Sequence, residues 1–193
     1  MNILTPFMRI ASAVLLLCCV SLGAVAQEKM KDEKMQDKMM KATVQGAFVK
    51  QSNYVENQFV TLAEAIPQDK YNWRPAEGVR SIAESFLHVA RGNYGILTFI
   101  GAKVPEGVDM EKLEKSSTDK ATIVDAMKKS FKAVNDYVQS VPESDFGREI
   151  DFFGNKMTVL DMIMLAATHQ HETLGQSIAY ARSNGVKPPW SGM

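Results

Sequence analysis

The chain has 193 residues, with 22 basic and 22 acidic side chains, three histidines and two cysteines. A formal net charge of zero gives no electrostatic reason to expect a nucleic acid or an anionic membrane surface as partner. The length suits one ordinary domain rather than several.

Residues 1–26, MNILTPFMRIASAVLLLCCVSLGAVA, carry one cation, Arg9, then an apolar run and the small-residue ending Ala24-Val25-Ala26. This is the pattern of a secretory signal peptide with an A-x-A cleavage site, and the run is too short and wrongly flanked for a stable membrane anchor. Leu17 stands before Cys18 where a lipoprotein signal needs a small residue, so lipidation is not expected. Cleavage after Ala26 removes both cysteines, so the remaining domain can form no disulfide even in an oxidising compartment. The expected location is periplasmic or secreted.

Residues 27–41, QEKMKDEKMQDKMMK, consist almost wholly of Lys, Met, Asp, Glu and Gln. Mixed charge without aromatics reads as a solvated spacer. The competing reading is copper(I) capture by the thioethers of Met30, Met35, Met39 and Met40, but thioethers are weak ligands without fixed geometry. The spacer is the expectation adopted.

From residue 42 the apolar period is helical. Val44, Phe48, Val55, Phe59, Leu62 and Ile66 draw one stripe down a long first helix that Pro67 stops. The link QDKYNWRPAEGVR reads as an ordered loop packed through Tyr71 and Trp73. Ser81 and Glu84 form a capping box that opens a second helix running to about Ile100. Ser81, Ser85, His88, Gly92 and Gly95 form a row of small residues around one histidine. Two glycines on one helical face cost about 1 kcal/mol each against alanine, so space is needed there, for a neighbouring helix or beside His88.

Residues 101–117 read as a connection. A third helix follows with Ile123, Met127, Phe131, Val134 and Val138 on its inner face, ending before Pro142. PESDFGREIDFFGNKM offers short extended segments and no helical period. Thr158 with Asp161 caps a fourth helix that reaches about Ser183 and stops at Asn184-Gly185. Four long helices without a convincing sheet define the expected fold class, an all-α four-helix bundle over residues 42–193.

On the fourth helix, THQHETLGQS places His169 and His171 about 200° apart, so both cannot face one ion. Periodicity does not choose between them. Leu160, Ile163, Ala167, His171, Leu174 and Ile178 form an apolar stripe. Met162, Ala166, His169, Thr173, Gln176 and Tyr180 form a mixed one.

WRPAEGVRSIAESFLHVA, the late HxHExxGQ and the ending YARSNGVKPPWS together resemble the DinB-like superfamily of four-helix-bundle proteins, over nearly all of residues 42–191. The resemblance implies a divalent metal, often nickel or zinc and with manganese a further candidate. One histidine of the second helix and an H-x-x-x-H pair on the fourth would hold it, the second of the pair lying two residues before Gly-Gln. His88 takes the first position, and Gly175-Gln176 as anchor puts His169 in the second. The third falls on Thr173, a departure that leaves two imidazoles and a hydroxyl, a poor site beside three imidazoles. Glu172, at i, i+3 from His169, is at the spacing bundle metalloproteins use to aim a carboxylate and an imidazole at one ion. His171 is expected at the surface or behind the ligands.

The resemblance therefore implies a metal-dependent hydrolase or thiol transferase acting on a small molecule whose identity the chain does not disclose. Export favours hydrolysis over cytosolic thiol chemistry. The alternative is a non-catalytic bundle that has lost the family metal. Homodimer formation is left open.

The signal reading predicts a mature N-terminus at Gln27. Mass spectrometry of the exported fraction checks it, and a stable exported product that retains residues 1–26 refutes it.

Overall fold

The computed structural model describes residues 29–31, 35 and 43–192. The signal segment and most of the spacer, including Met39 and Met40, lie outside the described residues.

Four helices make the body: α1 Val44–Ala65, α2 Ile82–Gly95, α3 Lys120–Ser140 and α4 Val159–Ser183. Both α1 and α2 pack along α3 and along α4, so α1 and α2 stand on one diagonal of the bundle and α3 and α4 on the other. Local signals set the ends. Ser81 Oγ accepts from Glu84 N while the Glu84 carboxylate accepts from Ser81 N, and Thr158 and Asp161 repeat this box at α4. Asp119 caps α3 through Thr122 N. Past α4, Gly185 takes the positive φ, 75°, that ends the helix.

Three expectations need correction. Val44, placed on the inner stripe of α1, is exposed. The second helix is α-helical only to Gly95, and Ile96–Ile100 tightens into a 3-10 turn before Gly101 reverses the chain. The extended stretch before α4 is a true hairpin, β1 Glu149–Phe152 paired antiparallel with β2 Asn155–Thr158. Its strands are four residues each: Glu149–Phe152 alternates polar and apolar, but the run is short and Asn155–Thr158 does not match it.

Two apolar clusters fill the bundle. One centres on Phe59, Phe86 and Phe131, with Phe59 ring centroids 6.2 Å from Phe86 and 5.9 Å from Phe131. The other joins Phe48, Leu97, Val138, Met162 and Ile163. Between them Ser52, Asn93, Ser130 and Gln170, one from each helix, are buried as a polar layer. Gln170 donates to Asn93 Oδ1 at 2.9 Å, and Asn93 donates to Ser130 Oγ at 3.1 Å. This layer lies at the level of the histidines.

The loop after α1 is ordered as its aromatics suggest. Tyr71 is fully buried, stacks obliquely on Phe86 and donates its hydroxyl to Ala63 O at 2.7 Å, a carbonyl near the end of α1. Trp73 packs edge-on against Tyr180. Tyr71→Phe should lower unfolding free energy by about 1 kcal/mol, the worth of one buried hydrogen bond. Tyr71→Ala should lower it by about 3–5 kcal/mol through the cavity it leaves. Urea unfolding of both variants checks this, and an unchanged stability in Tyr71→Phe would show the hydroxyl to be idle.

Candidate functional site

The small-residue row on α2 has a physical reason. A Cβ built on Gly92 would lie 2.1 Å from His169 Cε1, so only glycine lets the His169 ring lie flat against α2. At Gly95 the neighbour is Met110, whose Cε would be 3.2 Å from an added Cβ. The room that the glycines provide is thus filled at Gly92 by an imidazole, and that imidazole lies beside His88.

His88 Nε2 and His169 Nε2 are 3.2 Å apart, with the two rings edge to face. His88 Nδ1 is 2.8 Å from Glu114 Oε1. Glu114 also accepts from Arg80 Nε at 2.8 Å, and Arg91 Nη1 lies 3.8 Å from it. Burial pushes the Glu114 carboxyl up, but hydrogen bonds from Arg80 and His88 outweigh burial and hold it below the usual carboxylate range. An ionised carboxylate only accepts, so His88 Nδ1 carries a proton and donates it. In the neutral ring, His88 Nε2 is then a lone pair that accepts from His169 Nε2.

His169 titrates at about 4, chiefly because burial penalises the imidazolium and secondarily because His88 is close, with Glu172 opposing. Its Nδ1 is buried and has no hydrogen-bond partner. The neutral tautomer that donates from Nε2 leaves Nδ1 as a bare lone pair, which is cheaper to bury than an unanswered N–H.

The structure brings His88, His169, Glu172 and Thr173 to one cavity of about 200 Å3, with Arg80 and Gln176 completing its wall. Thr173 is buried, and Glu172 is exposed at the mouth. A larger cavity of about 520 Å3 shares Arg80 and Gln176 and adds Arg74, Glu84, Glu114 and Lys115. His171 is exposed and sits outside the site. In the stripe that contains it only Ile163 and Leu174 are fully buried, with Ala167 and Ile178 partly so, whereas Met162, Ala166, Thr173 and Tyr180 of the mixed stripe are all buried.

Glu114 is the residue that sequence reasoning missed. It lies in the short 3-10 turn Leu113–Lys115 inside the 101–117 connection, where no period or motif marks it. Arg80 and Arg91 follow from it, since they are its cationic partners.

Two imidazole nitrogens bound to one tetrahedral zinc at 2.0–2.1 Å would stand about 3.3 Å apart, so the 3.2 Å between the two Nε2 atoms fits two ligands of one ion. The fit stops there. Among the described residues no three His, Cys, Asp or Glu side chains converge as a metal-holding group. His169 Nδ1 also lacks the acceptor that usually backs a ligating histidine.

The sequence profile of the DinB superfamily matches residues 53–177. The uncharacterised protein YjoA of Bacillus subtilis is 26% identical over 145 residues, 70% of this chain and 92% of YjoA. A DinB-like protein of Bacillus cereus superposes with a TM-score of 0.64 at 21% identity, over 74% of this chain and 93% of that one. YfiT of Bacillus subtilis, described as a probable metal-dependent hydrolase with an unusual four-helix bundle topology, gives a TM-score of 0.60 at 11% identity, over 74% and 89%. At these identities the superpositions speak for the fold.

The folded chain refuses a proton that His169 accepts near 6.5 when unfolded. Its contribution to stability is therefore complete above about 6.5 and lost as pH falls toward 4. Urea midpoints measured from pH 7.5 to 4 should fall less steeply for His169→Gln than for the natural chain. Parallel curves would show that His169 is not the group responsible.

Proposed function

Since the chain belongs to the DinB superfamily, we propose that it is an exported protein whose cleft takes up a divalent cation between His88 Nε2 and His169 Nε2 and hydrolyses a small molecule there. The observation that carries this reading is the 3.2 Å approach of two Nε2 atoms at the wall of an open polar cavity. Further support comes from the description of YfiT as a probable metal-dependent hydrolase. A bound zinc, nickel or manganese ion would supply an acidified water.

The chain's own residues have distinct parts in this reading. Glu114 accepts the Nδ1 proton of His88 and so turns its Nε2 lone pair toward the cavity. Glu172, at the mouth, is placed to accept a proton from solvent bound within. Arg80, on the wall the two cavities share, is paired with Glu114 and holds that carboxylate in place against His88. Gly92 keeps His169 in place by leaving it room.

The second reading, a non-catalytic bundle without metal, is favoured by one feature. Thr173 stands where the family resemblance calls for a third histidine, and it is only 3% exposed.

Calorimetric titration of untagged protein with zinc, nickel and manganese separates the two. The natural chain should bind one ion weakly, and His88→Ala or His169→Ala should abolish binding. His171→Ala should leave it unchanged. Thr173→His should tighten it at least about 10-fold, the effect of a third nitrogen worth about 1.4 kcal/mol. No binding by either the natural chain or Thr173→His would overturn the metal reading in favour of the second.

A further inference from the structure

His88 and His169 also form the inner end of a second space, a groove of about 500 Å3. The rest of its surface is mainly apolar, with Gly92, Gly95, Phe99, Met110, Phe152 and Phe153 as the residues that shape it. Its volume falls in the range of about 300–1,000 Å3 that small-molecule sites occupy, and a mostly apolar lining with a few convergent polar groups is their usual chemistry. The space that added Cβ atoms at Gly92 and Gly95 would take is filled by His169 and Met110, which therefore lie close on the backbone of α2 and form the floor.

The outer wall is three phenylalanines in mutual edge contact. Phe99 is 4.8 Å from Phe152 and 5.2 Å from Phe153 between centroids, and Phe152 is 4.8 Å from Phe153. Phe153 is out of place on two counts. It sits in the two-residue hairpin loop at φ 53°, followed by Gly154 at φ 83°. Positive φ at both positions is the turn that Asn-Gly fits, and a bulky side chain there is strained. It is also 78% exposed, so burial in the core does not offset that strain. Strain held at an exposed aromatic beside a site points to a ligand.

We infer that this groove holds the acyl or aromatic part of a small amphiphile, with its polar end at the His88–His169 pair. Behind the polar end Glu114 bonds His88 at 2.8 Å and lies 3.8 Å from Arg91, so the charges there are balanced. The groove and the polar cavity share the two histidines in their linings, so the pair is reached from both. The placing of the reacting group rests on the hydrolytic reading. The apolar subsite does not.

The test uses the full mature chain with anilinonaphthalene sulfonate as fluorescent probe and decanoate as competitor. The probe should saturate one site, and decanoate should displace it while acetate does not. Phe153→Asn should weaken decanoate at least about 10-fold, since it removes one aromatic wall. The same substitution suits the turn better, so its melting temperature should rise, which rules out unfolding as the cause. Phe99→Ser should weaken decanoate in the same direction. Unchanged decanoate affinity in Phe153→Asn overturns the inference, as does probe binding that decanoate fails to compete. Sedimentation of the natural chain covers a further outcome. A concentration-dependent dimer that Phe153→Asn abolishes would make the groove a contact between two copies, and the inference would fall. Zinc titration of the same proteins keeps the two readings apart. Decanoate binding without zinc binding supports the groove and removes the hydrolytic reading, whereas zinc binding without decanoate binding does the reverse.

Discussion

One carboxylate holds the polar half of this molecule in register. Glu114 comes from a connection with little helical structure of its own, and its side chain is only 19% exposed. A desolvated charge of that kind is tolerated when donors surround it, and Arg80, Arg91 and His88 do so. The same contacts tie the 101–117 connection down onto α2. They also decide which nitrogen of His88 bears the proton, and through that which nitrogen of His169 donates. A surface-loop glutamate thus dictates hydrogen bonding two side chains away, inside the cleft.

The histidines stand at the level where the bundle gives up apolar packing. Phe59, Phe86 and Phe131 fill one end and Leu97, Val138 and Met162 the other, while Gln170, Asn93 and Ser130 bridge between. A buried amide layer is costlier than leucine unless it is fully paired, and here Gln170 Oε1 and Ser52 Oγ find no partner. What the layer provides is register. A quarter-turn slip of α4 would strand Gln170 among hydrocarbon and withdraw His169 from His88. Polar cores trade stability for a single alignment in some bundles, and that trade places the imidazoles here.

Much of the bundle was legible because its boundaries are written in local chemistry. Ser81 with Glu84, Thr158 with Asp161, Pro67 and Gly185 each act within a few residues, so the chain announces them without tertiary help. The hairpin was not, because only one of its four-residue strands alternates and Phe153-Gly154 stands where an Asn-Gly loop would mark the turn. The face of α4 was not legible from periodicity either. His171 completes a better apolar stripe than His169 does, and only family resemblance selected His169. The structure explains why apolarity could not choose: the inward face of α4 at that level meets a polar layer and a glycine. Glu114 was invisible for a different reason. Its partners are 34 and 26 residues away in the chain, at Arg80 and His88, and no short-range pattern records such a pairing.

Gly92 has a consequence for how sequences of this kind can drift. Its missing Cβ and the His169 ring occupy the same volume, so neither position can change freely while the other stays. Alanine at 92 is compatible with a short side chain at 169, and histidine at 169 with glycine at 92. The mixed pairing that joins alanine to histidine collides, and the one that joins glycine to a short side chain leaves a hole in the helix interface. Descendants of this chain that abandon the imidazole are released from the helix-breaking glycine as well, and would gain helical stability as they lost the site. A glycine at 92 is therefore the steric counterpart of a ring at 169, and the two positions constrain each other across the helix interface.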